Sequence, residues 1–183
     1  MTPDDLQASP FRHPIRIEAI RQRGTEVVLE ADARQRAAIA AALGLPSVEA
    51  LTARYLLTRN GERVKLEGRI KAQLHQLCVV TLDPFPVALD VPVKLDFAPQ
   101  DDALASPRRG DAEIDIEVML NEEDPPEPIL DGVIELGAIT LEFLALSLDP
   151  YPRKPGVSFE APAADAAGVS PFAALAKLKR DAT

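Results

Sequence analysis

The chain has no tryptophan, two histidines and a single cysteine among its 183 residues, and aromatic residues make up only 4% of it. One cysteine excludes an intramolecular disulfide framework, and a structural zinc site, which needs about four ligands, finds no second cysteine. His13 and His75 have no metal-ligand spacing to Cys78 or to each other, so no cofactor or metal is expected. The scarcity of histidine and tryptophan also removes the usual acid–base and base-stacking groups. No Gly-rich phosphate loop, serine elbow, His-Glu zinc helix or dinucleotide fingerprint is present. Together these absences point away from an enzyme and towards a binding or assembly protein.

Membrane and export signals are also missing. The start, "MTPDDLQASPFRHP", lacks the basic and apolar regions of a secretory signal. The most apolar stretch, Val133 to Leu148, is short for a membrane span and is interrupted by Glu135 and Glu142. A buried helix in a cytoplasmic, non-membrane protein is the expectation.

Net charge is −9. Twelve acidic residues lie between Gly110 and Pro152 with no Lys or Arg among them, and removing those twelve from −9 leaves +3 on the remainder. A uniformly basic nucleic-acid surface is excluded, because phosphate-backbone binding rests on Lys and Arg. A local basic patch, a cationic partner for the acidic segment, and a merely solubilising acidic face all remain open.

What is present is strong alternation. Val64, Leu66, Gly68, Ile70, Ala72 and Leu74 alternate with polar residues, and Val87, Leu89, Val91, Val93, Leu95 and Phe97 do the same in the next run, which predicts two long strands joined by "LDPFP". Pro92, which has no N–H, implies an edge position or a bulge. "TARYLLTR" (52–59) meets "ERVKLEGRI" (62–70) across Asn60-Gly61, a hairpin signal that completes an antiparallel meander. "IRIEAI" (15–20) and "TEVVLEA" (25–31) read as a further pair turned by "RQRG", and "EIDIEVM" (113–119) as one more strand.

Two helices accompany these strands. "ADARQRAAIAAALG" (31–44) has Asp32 as N-cap and Gly44 as stop. The second spans about Val133 to Leu148 after a Pro-rich loop, "NEEDPPEPILDG", and its charges Glu135, Glu142 and Asp149 recur every seven residues as one solvent stripe. Residues 155–169, rich in Ala, Pro and Gly, read as a flexible linker. In "SPFAALAKLKRDAT", Ser170 caps and Pro171 opens a short helix whose Lys177, Lys179 and Arg180 complement its C-terminal dipole. Phe172, Leu175, Ala176 and Leu178 fall near one side. A helix this short needs a surface to bind, in cis or in trans.

If the 64–74 parity continues, Cys78 faces the interior and His75 faces solvent. Residues three apart on a strand point opposite ways, so the two do not form a nucleophile–base pair. Cys78 reads as a small buried apolar residue.

Three stretches together resemble the YceD family, the large ribosomal RNA subunit accumulation proteins. "CVVTLDPF" (78–85) sits between strands, where many members carry a C-x-x-C pair. "IELGAITLEFLALSLDPYP" (134–152) is similar to the family's I-D-L-G pattern and the Leu-rich helix after it, matched by Ile134, Glu135, Leu136, Gly137, Glu142 and Pro150. "PFAALAKLK" (171–179) is similar to the family's terminal motif, with Ser170 in place of its Asn. The wording around "DPFPVALD" and "DPYPRKPG" resembles the alphaproteobacterial branch. Thr81 stands where the second cysteine would be and no cysteine follows "DPYP", so a zinc-like role does not carry over.

The expected architecture is an α+β domain over residues 1–154, an antiparallel meander or partly closed sheet with two packed helices. A flexible linker (155–169) and a C-terminal docking helix (170–183) follow it. The resemblance implies a non-enzymatic factor supporting synthesis, processing or stability of large-subunit ribosomal RNA, with ribosomal RNA, a large-subunit protein or an assembly intermediate as partner. Pro171, Phe172, Leu175, Lys177, Leu178 and Lys179 are the candidate partner-binding residues. Two alternatives stand beside it. An acidic adaptor or chaperone for a basic protein would act through the 110–152 acids, whereas direct RNA contact would act through Arg12, Arg16, Arg21 and Arg23 or the tail lysines. A metal nuclease would require Asp111, Glu113, Asp115 and Glu117 to hold a metal.

Overall fold

Three long alternating strands carry the fold, and the turn between the first two sets their register. In the computed structural model, which describes residues 9–100 and 125–159, β3 (Ser47–Asn60) and β4 (Arg63–Leu77) pair antiparallel from Asn60 opposite Arg63 back to Ser47 opposite His75. The two-residue loop is therefore Gly61-Glu62, one position beyond the Asn-Gly signal. Gly61 takes φ +63° there, the left-handed conformation that a tight hairpin asks of its first central residue. β5 (Pro84–Pro99) pairs with β4 throughout, Leu77 opposite Pro84 to Val64 opposite Phe97.

The chain enters through β1 (Pro14–Arg16), a single 3-10 turn (Ile17–Ala19), β2 (Thr25–Glu30) and α1 (Ala33–Leu43), and leaves through β6 (Glu127–Ile129), β7 (Val133–Glu135) and α2 (Leu136–Leu146). The main sheet is open, in the order β2-β3-β4-β5-β6, antiparallel except for the short parallel pairing of β6 with Phe97–Pro99. Among the described residues the rest of β5 has no further strand beside it. That is the edge position Pro92 implied, and the register shift in the sheet falls instead in β3, between Val48 and Ala50.

One face of the sheet is buried. Leu51, Leu57, Leu66, Ile70, Leu74 and Val93 point from it into a core completed by Ile39 of α1, Leu136 and Leu144 of α2, and Phe11 and Ile20 from the N-terminal segment. α1 begins as expected: the Asp32 carboxylate accepts the Gln35 N–H, the Gln35 side chain accepts the Asp32 N–H, and Gly44 closes the helix at φ +64°. A reciprocal cap of this kind satisfies two otherwise orphaned backbone donors. No helix among the described residues is long and apolar enough to cross a membrane.

A polar link crosses the core. The Thr140 hydroxyl donates to Leu136 O at 2.7 Å, which leaves its oxygen to accept the buried Tyr55 hydroxyl at 2.8 Å. Burial pushes the Tyr55 phenol up to about 12 despite this bond, so it remains a neutral donor. Gly68 lies opposite Tyr55 in the ladder. A Cβ there would stand 2.4 Å from the Tyr55 ring and 2.3 Å from Arg54 O, so the missing side chain gives the ring its room.

Four expectations are corrected. β1 pairs with β7 (Pro14 opposite Glu135, Arg16 opposite Val133) rather than with β2, which takes the edge of β3. Alternation fixes that a segment is extended, not which strand it joins, and the 3-10 turn diverts the chain between the two. Residues 133–135 are strand rather than the start of the helix, and β6 lies inside the segment read as a loop. The sheet is open rather than partly closed. The predicted strand 113–119, most of the 155–169 linker and the 170–183 helix lie outside the described residues.

Replacing Gly68 by Ala is expected to lower stability by about 1–3 kcal/mol through overpacking against the Arg54 carbonyl and the Tyr55 ring, read as a drop in the urea midpoint. Because the backbone carbonyl stays in place, part of that loss should persist when Gly68→Ala is added to a Tyr55→Leu background.

Candidate functional site

The motif residues form two separate arrangements. The first joins the N-terminal segment to α2. His13 donates its N–H to the Glu135 carboxylate, Arg12 Nε lies 3.8 Å from the same carboxylate, and the Leu136 N–H is donated to His13 O at 3.0 Å. Gly137 follows, where a Cβ would fall 2.1 Å from Phe11 O. Glu135 is thus not part of an exposed stripe: its side chain is 12% exposed and works as an acceptor beneath the incoming strand. Leu136 is fully buried, whereas Glu142 is exposed. The Glu-Leu-Gly run serves to let a backbone strand lie against the first turn of α2.

The second arrangement is the turn after β4. The Cys78 N–H is donated to Asp83 O at 2.9 Å and the Leu82 N–H to Cys78 O at 2.8 Å, while Val79 reaches Pro152 O at 2.9 Å. The Gln76 side chain donates to Asp149 O at 3.1 Å, so two hydrogen bonds tie the turn to the segment after α2. Leu82 adopts φ +60°, which costs a residue with a Cβ about 1–2 kcal/mol, and its side chain is exposed.

Cys78 is fully buried, as its parity predicted, but it lies outside the main apolar core. Its sulfur sits in a polar cradle. The Lys154 N–H foremost, with burial opposing, then the Thr81 hydroxyl and the Thr81 and Val80 N–H groups, hold its thiol down to about 7 from an ordinary 9.0. Sequence parity found the burial and missed the donors, because Lys154 is brought in from far along the chain. His75 belongs elsewhere: its Nδ1 lies 3.0 Å from Ser47 Oγ and 3.7 Å from a Glu49 carboxylate oxygen. No group of three or more His, Cys, Asp or Glu residues among the described residues is placed to hold a metal.

The remaining candidates divide by position. Arg16, Arg21 and Arg23 are exposed on the N-terminal segment. A cleft of about 1050 Å³ near the Gly61 hairpin has Arg63, Lys65 and Lys94 in its wall, together with Glu67, Asp96 and Glu127, and so presents neither sign. Pro150 lines a smaller groove at the opposite end of the sheet. Pro171, Phe172, Leu175, Lys177, Leu178 and Lys179 lie outside the described residues, as do Asp111, Glu113, Asp115 and Glu117.

Fold and site together define an α+β domain with a hydrogen-bonded cysteine turn packed beside the exit of an apolar helix. The chain matches the family described as "Large ribosomal RNA subunit accumulation protein YceD" over residues 66–179, more than half its length, and it belongs to that family. Comparison with curated proteins and with solved structures gives no match.

Gly137→Ala is expected to destabilise by about 1–3 kcal/mol even though Ala gains about 1 kcal/mol of helix propensity, because the Phe11 backbone must move. Glu142→Ala should stay within about 0.5 kcal/mol of the parent; equal urea midpoints for the two variants would contradict this. A second expectation concerns pH. The Cys78 thiol titrates lower when folded than when unfolded, so its contribution to stability is full above the unfolded value of 9.0 and is lost as pH falls through about 7. Stability relative to a Cys78→Ala variant should therefore rise from pH 7 to 9, as read in urea titrations.

Proposed function

We propose that this protein is a non-enzymatic, cytoplasmic factor that supports the accumulation of large-subunit ribosomal RNA, acting during ribosome assembly on ribosomal RNA, a large-subunit protein or an assembly intermediate. The family match across residues 66–179 carries this reading, since it runs from the long strands through α2 to the tail. The form of the chemistry supports it. The recognisable motif residues within the fold hold backbone segments together, and Cys78 is sealed from solvent, which suits a scaffold better than a reactive centre. Partner contact then falls to the exposed surface and to the terminal segment Pro171, Phe172, Leu175, Lys177, Leu178 and Lys179, where apolar anchors and lysines suit docking into a groove beside acidic groups or phosphate.

The concentration of acids between Gly110 and Pro152, with no Lys or Arg among them, favours a second reading, an acidic adaptor for a basic ribosomal protein without RNA contact. The two separate by salt and by mutation. Direct RNA contact depends on Arg12, Arg16, Arg21 and Arg23 or on the tail lysines and weakens steeply with salt, whereas the adaptor depends on the acids.

The test is the ratio of large- to small-subunit ribosomal RNA in cells depleted of the protein. It should fall, and be restored by the full chain but not by one ending before Ser170. An unchanged ratio on depletion would overturn the accumulation role.

A further inference from the structure

Among the described residues, α1 and α2 end at the same groove. Leu43 and Gly44 at the end of α1 and Ala145 and Leu148 at the end of α2 line it, with Leu77 and Pro152 from the cysteine turn and the segment bonded to it, around a volume of about 360 Å³. Neither helix has a basic residue in its last turn. Backbone N–H groups cap several of their last carbonyls, but no basic side chain in either last turn offsets the partial negative charge of about half an electron at each end. Asp149 is the one charged residue in the lining.

The rim is apolar. Of the nine exposed large hydrophobic side chains among the described residues, Leu77, Val79, Leu82, Leu146 and Tyr151 belong to this end. Leu77 lines the groove, Leu146 and Tyr151 adjoin lining residues, and Val79 and Leu82 stand in the turn bonded to Pro152. Single exposed apolar side chains are ordinary, but a cluster around a groove marks a docking surface. The occupant this chemistry selects is a short segment with apolar anchors and basic residues.

We propose that the groove is the seat of this chain's own C-terminal segment, Pro171–Arg180. Phe172, Leu175 and Leu178 supply the anchors, and Lys177, Lys179 and Arg180 supply the positive charge that the helix ends and Asp149 lack. The tether is also short. The chain passes Pro152 in the groove wall, and only the twelve residues 160–171 separate Phe159 from Phe172. A coil of that length spans about 20 Å and holds its end at roughly millimolar effective concentration. Docking also supplies what so short a helix lacks when isolated. A partner that binds the tail must then compete with this seat, and the same event uncovers the groove. The inference does not rest on the ribosomal reading, because its readout is intramolecular.

The experiment is the amide NMR spectrum of the full-length protein at low and high concentration. Replacing Phe172, Leu175 and Leu178 together by Asp should shift the amides of Leu43, Gly44, Leu45, Leu77 and Leu148 and leave the β3–β4 hairpin unchanged. Leu77→Asp, at an exposed strand end, should move the amides of residues 171–180 to random-coil positions. Both effects should be independent of protein concentration. Tail amides already at random-coil positions in the parent, with groove amides indifferent to the tail substitutions, would overturn the proposal. Shifts that appear only at high concentration would assign the groove to a second copy's tail, and shifts that appear only on adding large ribosomal subunits would assign it to a partner; either result would overturn the intramolecular seat.

Discussion

The close passage of the Phe11–His13 backbone over the first turn of α2 is the contact on which the rest of the domain depends. It is possible only because Gly137 has no Cβ, and it is held by the hydrogen bonds from His13 to Glu135 and from Leu136 to His13. With the segment in place, Phe11 and Ile20 are buried, β1 finds β7, and α2 is set with Leu136 and Leu144 over the sheet. The Glu135 carboxylate at the helix entrance accepts the His13 N–H and so fixes the path of the incoming segment. An acidic residue that looks like surface charge in the sequence is thus a structural acceptor.

The Cys78 turn shows a related economy. Its backbone hydrogen bonds and its tie to Pro152 hold the turn in shape around a single thiol. Thr81, standing where a second cysteine would be, turns its hydroxyl and its N–H on Cys78. A thiol with several donors around it is favoured as thiolate, yet full burial keeps it from reagents. Its surroundings are therefore polar, with donors that lower the thiol to about 7, and are not the simple apolar packing its parity suggested.

Legibility in the sequence followed locality. The long strands, the parity of Cys78 and both ends of α1 were readable because alternation, a cap and a glycine stop act within a few residues. β1 was readable as extended but not as the partner of β7, since both of its possible partners satisfy the same alternation. β7 was hidden because Val133 to Leu148 reads as one apolar stretch broken only by single polar residues, and the change from strand to helix at Leu136 leaves no mark in its hydropathy. Thr140 was a usable signal that went unread: a hydroxyl in so apolar a helix calls for a buried partner, and Tyr55 lies on the inward parity of β3. The approach of Lys154 to Cys78, and of two helix ends to one groove, are tertiary facts with no local trace.

These observations divide the motif residues by task. Glu135, Leu136 and Gly137 are occupied within the fold, and Cys78 is enclosed. None of them offers a surface to a partner. Pro150, by contrast, lines a groove, Glu142 is exposed, and the apolar side chains that remain uncovered gather where α1, α2 and the cysteine turn end. The bonds from Val79 to Pro152 and from Gln76 to Asp149 make the turn and the exit of α2 one unit, so the inward-facing motif residues shape the wall that the outward-facing ones present. The cysteine turn therefore sets the position of that wall through its backbone hydrogen bonds, which need one thiol and not two.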